Sequence, residues 1–172
     1  MILAIDPGNE ESGVVLIRES DLKPIIVKKA TNEQILNDIL TGVYNCCMFY
    51  DDCKEALNYV AIEMIASYGM PVGADVFNTC VWIGRFVQAL EDNNCNLQIK
   101  YIYRKDEKMN LCGSMKAKDS NIIQALVDRF APNAPNRGKG TKKEPGWFYG
   151  FKKDIWQAYA VGVTFNDMYL KG

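Results

Sequence analysis

The stretch ILAIDPGNEESGVVLI, residues 2–17, decides the fold. Its apolar run Ile2 to Ile5 ends at Asp6 and is followed by Pro7-Gly8-Asn9, which favours a turn. Apolar and β-branched residues from Ser12 to Ile17 predict the return strand of a hairpin. The chain is therefore expected to begin with two antiparallel strands and to carry a carboxylate at the end of the first.

The rest of the chain predicts alternating strands and helices. Further strands are predicted at residues 24–27, 59–65 and 97–103, and helices at 32–40, 74–90, 117–130 and 154–169. Residues 43–58 are ambiguous, with a helical turn or two allowed over Asp51 to Asn58, and residues 104–116 and 131–150 are expected to be irregular. The order predicts a mixed sheet with helices on its faces.

An antiparallel three-strand meander followed by helix-linked parallel strands resembles the ribonuclease-H-like fold. We therefore predict one α/β, ribonuclease-H-like domain over residues 1–172, with a mixed five-stranded sheet flanked by helices. In that fold the first and fourth strands lie side by side at the centre of the sheet.

The composition excludes several classes of chemistry. The chain has no histidine, which excludes Ser-His-Asp and Cys-His catalysis and imidazole metal ligands. None of the six cysteines forms a CxxC pair, so reduced thiols are expected instead of a zinc site or a disulfide framework. No apolar run approaches the roughly 20 residues that span a membrane, and the N-terminus has no basic leader, so a cytoplasmic location is expected.

The net charge of −1 hides an uneven distribution. Residues 1–63 hold five Lys/Arg against eleven Asp/Glu, a net of −6, whereas residues 100–153 hold thirteen against five, a net of +8. An acidic and a basic region in one chain favour binding of cations by the first and of a polyanion by the second. A merely solvated, uneven surface is the alternative.

Three carboxylates stand in apolar surroundings. Asp6 ends a strand, Glu63 interrupts one, and Asp154 opens the apolar last helix. Burial of unpaired carboxylates is costly unless they converge on a cation, and oxygen ligands suit Mg²⁺ or Mn²⁺. Alternatively, Asp6 shapes the turn and Asp154 caps its helix; Glu63 is the hardest of the three to explain structurally.

Four motifs carry a resemblance to a known family: ILAIDPGNEESGVVL, YVAIEMIASYGMPVG, AKDSNIIQALVDRF and KKDIWQAYAVGVTF. They span nearly the whole chain, and together they resemble the RuvC-type Holliday junction resolvases, especially the short versions of phages of Gram-positive bacteria. The resemblance implies a homodimeric, Mg²⁺-dependent endonuclease, with Mn²⁺ expected to substitute, that nicks a four-way DNA junction symmetrically. A phage-encoded protein would act in the host cytoplasm.

The resemblance also implies roles for particular residues. Asp6, Glu63 and Asp154 match the metal-binding, catalytic acids, and Lys118, or else Lys116, matches a catalytic basic residue ahead of the penultimate helix. The family usually has a further acid where this chain has Gln157, which offers at most a weak metal contact without charge.

Contact with DNA phosphates is predicted for the basic residues Lys105, Lys108, Lys116, Lys118, Arg137, Lys139, Lys142 and Lys143. Tyr68 is a candidate for stacking on bases, as are Trp147, Phe148, Tyr149 and Phe151, although packing onto the core is expected for at least half of these four. The helix at 74–90 is a candidate dimer interface or, more simply, a core helix.

Two alternatives to junction resolution stay open. One is a nuclease for branched, forked or RNA-containing substrates, since the charged loop 131–150 favours no single substrate. The other is a junction-binding protein with weak catalysis, motivated by Gln157.

Overall fold

A computed structural model describes residues 1–45, 56–67, 69 and 71–171. Its strands are β1 (Ile2–Asp6), β2 (Glu11–Ile17), β3 (Pro24–Thr31), β4 (Tyr59–Met64) and β5 (Gln98–Tyr103). Its helices are α1 (Asn32–Leu40), α2 (Ala74–Asn93), α3 (Arg104–Cys112), α4 (Asp119–Phe130) and α5 (Lys153–Phe165). A 3₁₀ turn covers Pro135–Gly138, and a wider π turn, Asn166–Leu170, follows α5.

The strands form one mixed sheet in the order β3-β2-β1-β4-β5. β1, β2 and β3 pair antiparallel as a meander, while β1 with β4 and β4 with β5 pair parallel. The predicted α/β, ribonuclease-H-like architecture is confirmed, as is the central, adjacent placement of the first and fourth strands.

The period-two alternation of the strands divides the core between the two faces of the sheet. Ala4 and Ala61 point towards α4 and α5, whereas Leu3, Ile5 and Ile62 point towards α1 and α2. The central strands are thus buried on both sides, which explains their nearly continuous apolar sequence.

Helix α5 lies very close to the sheet because two glycines leave room for it. A Cβ atom at Gly162 would lie 2.3 Å from the Ile17 side chain and 2.9 Å from that of Ala4. A Cβ at Gly13 would lie 2.6 Å from the backbone oxygen of Asp154. The second contact fixes the start of α5 against the β1–β2 hairpin, in which Gly13 pairs with Asp6.

The prediction of irregular structure over residues 104–116 is wrong, because α3 occupies Arg104–Cys112. Few apolar residues mark this helix, and its ends are stabilised by capping. The Asp106 carboxylate accepts a hydrogen bond from the Tyr103 amide, and Gly113 ends the helix in the left-handed conformation.

The other helical predictions are confirmed, with shifts of a few residues at their ends. The exception is the last helix, predicted over 154–169, where the regular α-helix ends at Phe165. Much of the ambiguous segment 43–58 lies outside the described residues. None of the described helices combines the length and the apolar character needed to cross a membrane.

Candidate active site

Asp6 and Glu63 meet at the carboxyl ends of the two central strands. The parallel register aligns Ile5 with Ile62, so the following residues are neighbours. Alternation places both carboxylates on the α5 side of the sheet, two residues beyond Ala4 and Ala61. The two side chains share a hydrogen bond; burial, then the negative charge of Glu63, raises the pKa of Asp6 far above its ordinary value.

The turn after Asp6 is held by other residues. The Gly8 amide donates to the Ser12 hydroxyl, and the Asn32 side-chain amide donates to the Gly8 carbonyl oxygen. Ser12 and Asn32 are fully buried. Ser12 and Asn32 therefore stabilise this turn.

Asp154 lies in the first turn of α5, opposite the end of β1. The residue at the N-cap position is Lys152, so the structure does not support the alternative in which Asp154 caps the helix. The charge of Asp154 contributes to the raised pKa of Asp6, which places the two carboxylates within electrostatic range. Together with the turn at residues 7–11, they line a cavity of about 330 Å³.

A lysine from β3 now engages Asp154. The Lys29 ammonium lies 2.7 Å from the Asp154 carboxylate and 3.0 Å from that of Glu11. Its hydrogen bond to Asp154, followed by that to Glu11, raises the pKa of Lys29. The sequence alone did not identify Lys29 as part of the site.

The second residue that sequence reasoning missed is Glu107 on α3. Its side chain has no solvent exposure, and its Oε2 lies 2.7 Å from the Arg104 guanidinium. Burial, then the charge of Glu63, raises the pKa of Glu107. The available signal was the spacing of Arg104 and Glu107, three residues apart and so on one face of any helix formed there.

Arg104 connects three elements beside Glu63. Its guanidinium donates to Glu107 on α3, to the amide oxygen of Gln157 on α5, and to Asp119 at the start of α4. Burial lowers the pKa of Arg104, but the charges of Glu107, Glu63 and Asp119 outweigh it and raise the pKa overall. The oxygen of Gln157 is therefore already engaged.

The predicted acids are gathered at one end of the sheet, but they do not yet enclose an ion. In residues 1–45, 56–67, 69 and 71–171, no three His, Cys, Asp or Glu side chains form a ready-made ligand set. Asp6 and Glu63 are hydrogen-bonded to each other, whereas Asp154 is paired with Lys29.

The predicted DNA-binding residues are mostly solvent-exposed. Six of them are exposed: Lys105, Lys116, Lys118, Arg137, Lys142 and Lys143. The other two, Lys108 and Lys139, are half-buried. No hydrogen bond or ion pair recorded for the described residues joins Lys118 to the acids, although its neighbour Asp119 binds Arg104. Tyr68 lies outside the described residues.

The aromatic residues near α5 mostly serve the core. Phe148 and Phe151 are buried, and Trp147 stacks on Phe130 and donates to the Tyr159 hydroxyl at 3.0 Å. Tyr149 is 44% exposed and is the member of this group that remains a candidate for stacking on bases. The expectation that at least half of these four aromatic residues pack onto the core is confirmed.

Helix α2 has two apolar faces. Ile83 and Phe86 are buried against the sheet. On the opposite face, Phe77 and Val81 are each 61% exposed, and a Cβ at Gly84 would meet nothing within 4 Å. The helix therefore contributes to the core and also has a second apolar surface that the described residues leave uncovered.

Comparison with protein-family models finds no match. Comparison with curated proteins finds none either. Solved structures do match: RuvC of Thermus thermophilus has a TM-score of 0.61 and 17% identity, covering 97% of this chain and 95% of that chain. RuvC of the same organism in complex with a Holliday junction substrate has a TM-score of 0.62 and 12% identity, covering 98% and 95%. The resemblance expected from the motifs is therefore confirmed in the fold, which is that of RuvC over nearly the whole chain.

Proposed function

We propose that this chain is a divalent-metal-dependent endonuclease that resolves four-way DNA junctions by paired, symmetric nicks. The observation that carries the proposal is the meeting of Asp6 and Glu63 at the ends of the two central strands, with Asp154 facing them from α5. The shared fold with a RuvC structure that contains a Holliday junction substrate supports branched DNA as the substrate.

The residues at this position fit Mg²⁺ or Mn²⁺. The donors are carboxylate oxygens, which these ions prefer. The raised pKa of Asp6 and a buried, unpartnered oxygen of Glu107 indicate more negative charge than Lys29 and Arg104 offset. Asp6, Glu63 and Asp154 would hold the ion, which when bound activates water and stabilises the leaving oxygen of a phosphodiester.

Residues of the chain would prepare the site in two ways. Lys29 has to release Asp154 before that carboxylate can bind an ion, and the 37% exposure of its side chain allows it to move. Lys116 and Lys118 are exposed around the start of α4, where their charges would hold a phosphate of the DNA close to the acids.

Two symmetric cuts require two active sites, which a homodimer supplies. The exposed apolar face of α2, formed by Phe77, Val81 and Gly84, is the surface we assign to the dimer. Apolar residues of this size, adjacent on one helix face, are typical of protein–protein contacts.

A junction-binding protein with weak catalysis is the second candidate. The observation that favours it is the engagement of two α5 side chains by cations of the chain itself, Asp154 by Lys29 and Gln157 by Arg104. Both contacts compete with binding of a metal ion.

A cleavage panel tests the proposal. Purified protein is incubated with a synthetic four-way junction, a fork, a flap and an RNA–DNA hybrid, in Mg²⁺, in Mn²⁺ and in EDTA. We expect the junction to be cut fastest, at symmetric positions and with either metal. Equal cutting of fork and flap would indicate a broader nuclease, and tight junction binding without cutting in either metal would indicate the second candidate.

A further inference from the structure

Glu107 is a buried carboxyl group that packing alone does not explain. Its side chain has no exposure, and only one of its oxygens, Oε2, is bonded to Arg104. The other oxygen, Oε1, is buried without a hydrogen-bond partner among the described residues. A buried carboxylate oxygen left in this way is costly and calls for a ligand or a proton.

Besides Arg104, Glu63 is the charge that acts most strongly on Glu107. Its charge is the strongest unfavourable charge acting on Glu107, and the charge of Glu107 in turn reaches Asp6. Arg104 is the cation of this group, and its single guanidinium faces the carboxylates of Glu107, Glu63 and Asp119. One positive charge against three negative ones leaves room for a divalent cation.

The position of Arg104 fixes where such a cation would bind. The guanidinium holds Oε2 of Glu107 and the amide oxygen of Gln157, so neither is available. Oε1 of Glu107 remains, on a side chain that Arg104 keeps in one orientation. Gln157 on α5 provides no negative charge to the site, whereas Glu107 on α3 can provide one.

We propose that Glu107 is a metal ligand, and that together with Glu63 it forms a second divalent-cation position, which shares Glu63 with the one held by Asp6, Glu63 and Asp154. Arg104 is the positioning residue of this second position. The inference rests on the proposed function and extends it from one ion to two. Two carboxylates and water suffice for Mg²⁺ or Mn²⁺, which complete their coordination with waters and phosphate oxygens.

Counting bound ions tests this inference without measuring cleavage. The full chain, free of DNA, is titrated with Mn²⁺ by calorimetry, and bound Mn²⁺ is followed by electron paramagnetic resonance. We expect two ions per chain in the wild type and one in Glu107→Gln, with the remaining site unchanged. Glu33→Gln is the control, because it makes the same change at an exposed position of α1, and it should keep both ions.

A conservative variant separates ligation from folding. Glu107→Asp keeps the charge on a shorter side chain, and we expect it to retain two ions with the second bound about tenfold more weakly. Glu107→Gln should melt no lower than the wild type in EDTA, because it removes a buried charge and keeps an acceptor for Arg104.

The outcomes distinguish the two proposals. Two ions of unchanged affinity in Glu107→Gln would overturn the inference, as would a single ion bound equally by wild type and variant, and both leave the proposed function standing. Loss of both ions in Glu107→Gln would overturn the separation into two positions. A wild type that binds no Mn²⁺ would overturn the proposed function itself.

Discussion

At the level of single residues, the site is a group of carboxylates held together against their own repulsion. Asp6 and Glu63 share a hydrogen bond, Glu107 is buried beside them, and Asp154 is neutralised by Lys29. Without a metal ion, the repulsion between these carboxylates has to be relieved by protonation or by an ion pair with a lysine. This has consequences for pH dependence and for metal affinity.

The stability of the metal-free protein should fall as the pH rises. The unfolded chain releases the Asp6 proton near pH 4, whereas burial and the charge of Glu63 raise the pKa of Asp6 to about 9 in the folded state. The folded state therefore binds more protons between these values, and stability present at low pH is lost across that interval. Asp6→Asn should flatten the slope and raise the melting temperature at pH 8.

Thermal melts in EDTA from pH 5 to pH 9 measure this effect. Glu144→Gln removes an exposed carboxylate of the loop after α4 and should leave the slope as it is. A wild-type melting temperature that climbs steadily over the same range would contradict the assigned protonation of Asp6.

Lys29 should act as an internal competitor of the metal ion. Removing its ammonium in Lys29→Met frees Asp154, which the ion pair at 2.7 Å now engages. We expect Mn²⁺ to bind about threefold to tenfold more tightly in calorimetry, since the ion has to displace Lys29 from Asp154 in the wild type and a solvent-screened ion pair resists this only weakly. Lys28→Met is the matched control, because Lys28 pairs with Asp38. Weaker binding in Lys29→Met would show that Lys29 supports the ion.

At the level of elements, the sequence predicts what is regular and misses what depends on distant contacts. The sequence pattern of β1 and the interruption of β4 by Glu63 predict that Asp6 and Glu63 lie at the ends of these two strands. The parallel register of β1 and β4 then makes them neighbours. Helix α3 has no apolar stripe, so hydrophobic spacing does not reveal it. The burial of Glu107 depends on Arg104 and on Glu63 of another strand, and such a tertiary arrangement has no signature in spacing.

The close approach of α5 to the sheet should be sensitive to one methyl group. Gly162→Ala would force its Cβ against Ile17 and Ala4 and should lower the free energy of unfolding by about 1–3 kcal/mol. Gly84→Ala adds the same methyl group to α2, where no atom of the described residues lies within 4 Å, and should raise the free energy of unfolding of the monomer by up to about 1 kcal/mol. Urea unfolding of both variants makes the comparison, and equal effects would contradict the packing described for α5.

At the level of the whole molecule, the acidic centre stands at one end of the sheet, and most of the basic residues lie in the second half of the chain. Residues 100–153 include α3, α4 and the loop before α5, and their net charge is +8. Arg104, at the start of α3, links this region to the acids, because its guanidinium interacts electrostatically with Glu63. A polyanion bound along the basic region would therefore reach the acids.

The proposed dimer should depend on the exposed face of α2. Val81→Glu places a charge in the proposed interface, and we expect a monomer in light scattering coupled to size exclusion, together with loss of paired nicking. Met168→Glu changes a similarly exposed apolar residue after α5, on the other side of the sheet, and should leave the dimer intact. A dimer of unchanged stability in Val81→Glu would place the interface elsewhere.

The most direct test of the central claim is single-turnover cleavage of a four-way junction in Mg²⁺ by wild type and Asp6→Asn, with junction binding measured in parallel without metal. The account predicts that Asp6→Asn binds the junction as tightly as the wild type but cuts it more than about a hundredfold more slowly, since metal activation is worth several kcal/mol. Cutting by Asp6→Asn at the wild-type rate would contradict the assignment of the metal centre to Asp6, Glu63 and Asp154.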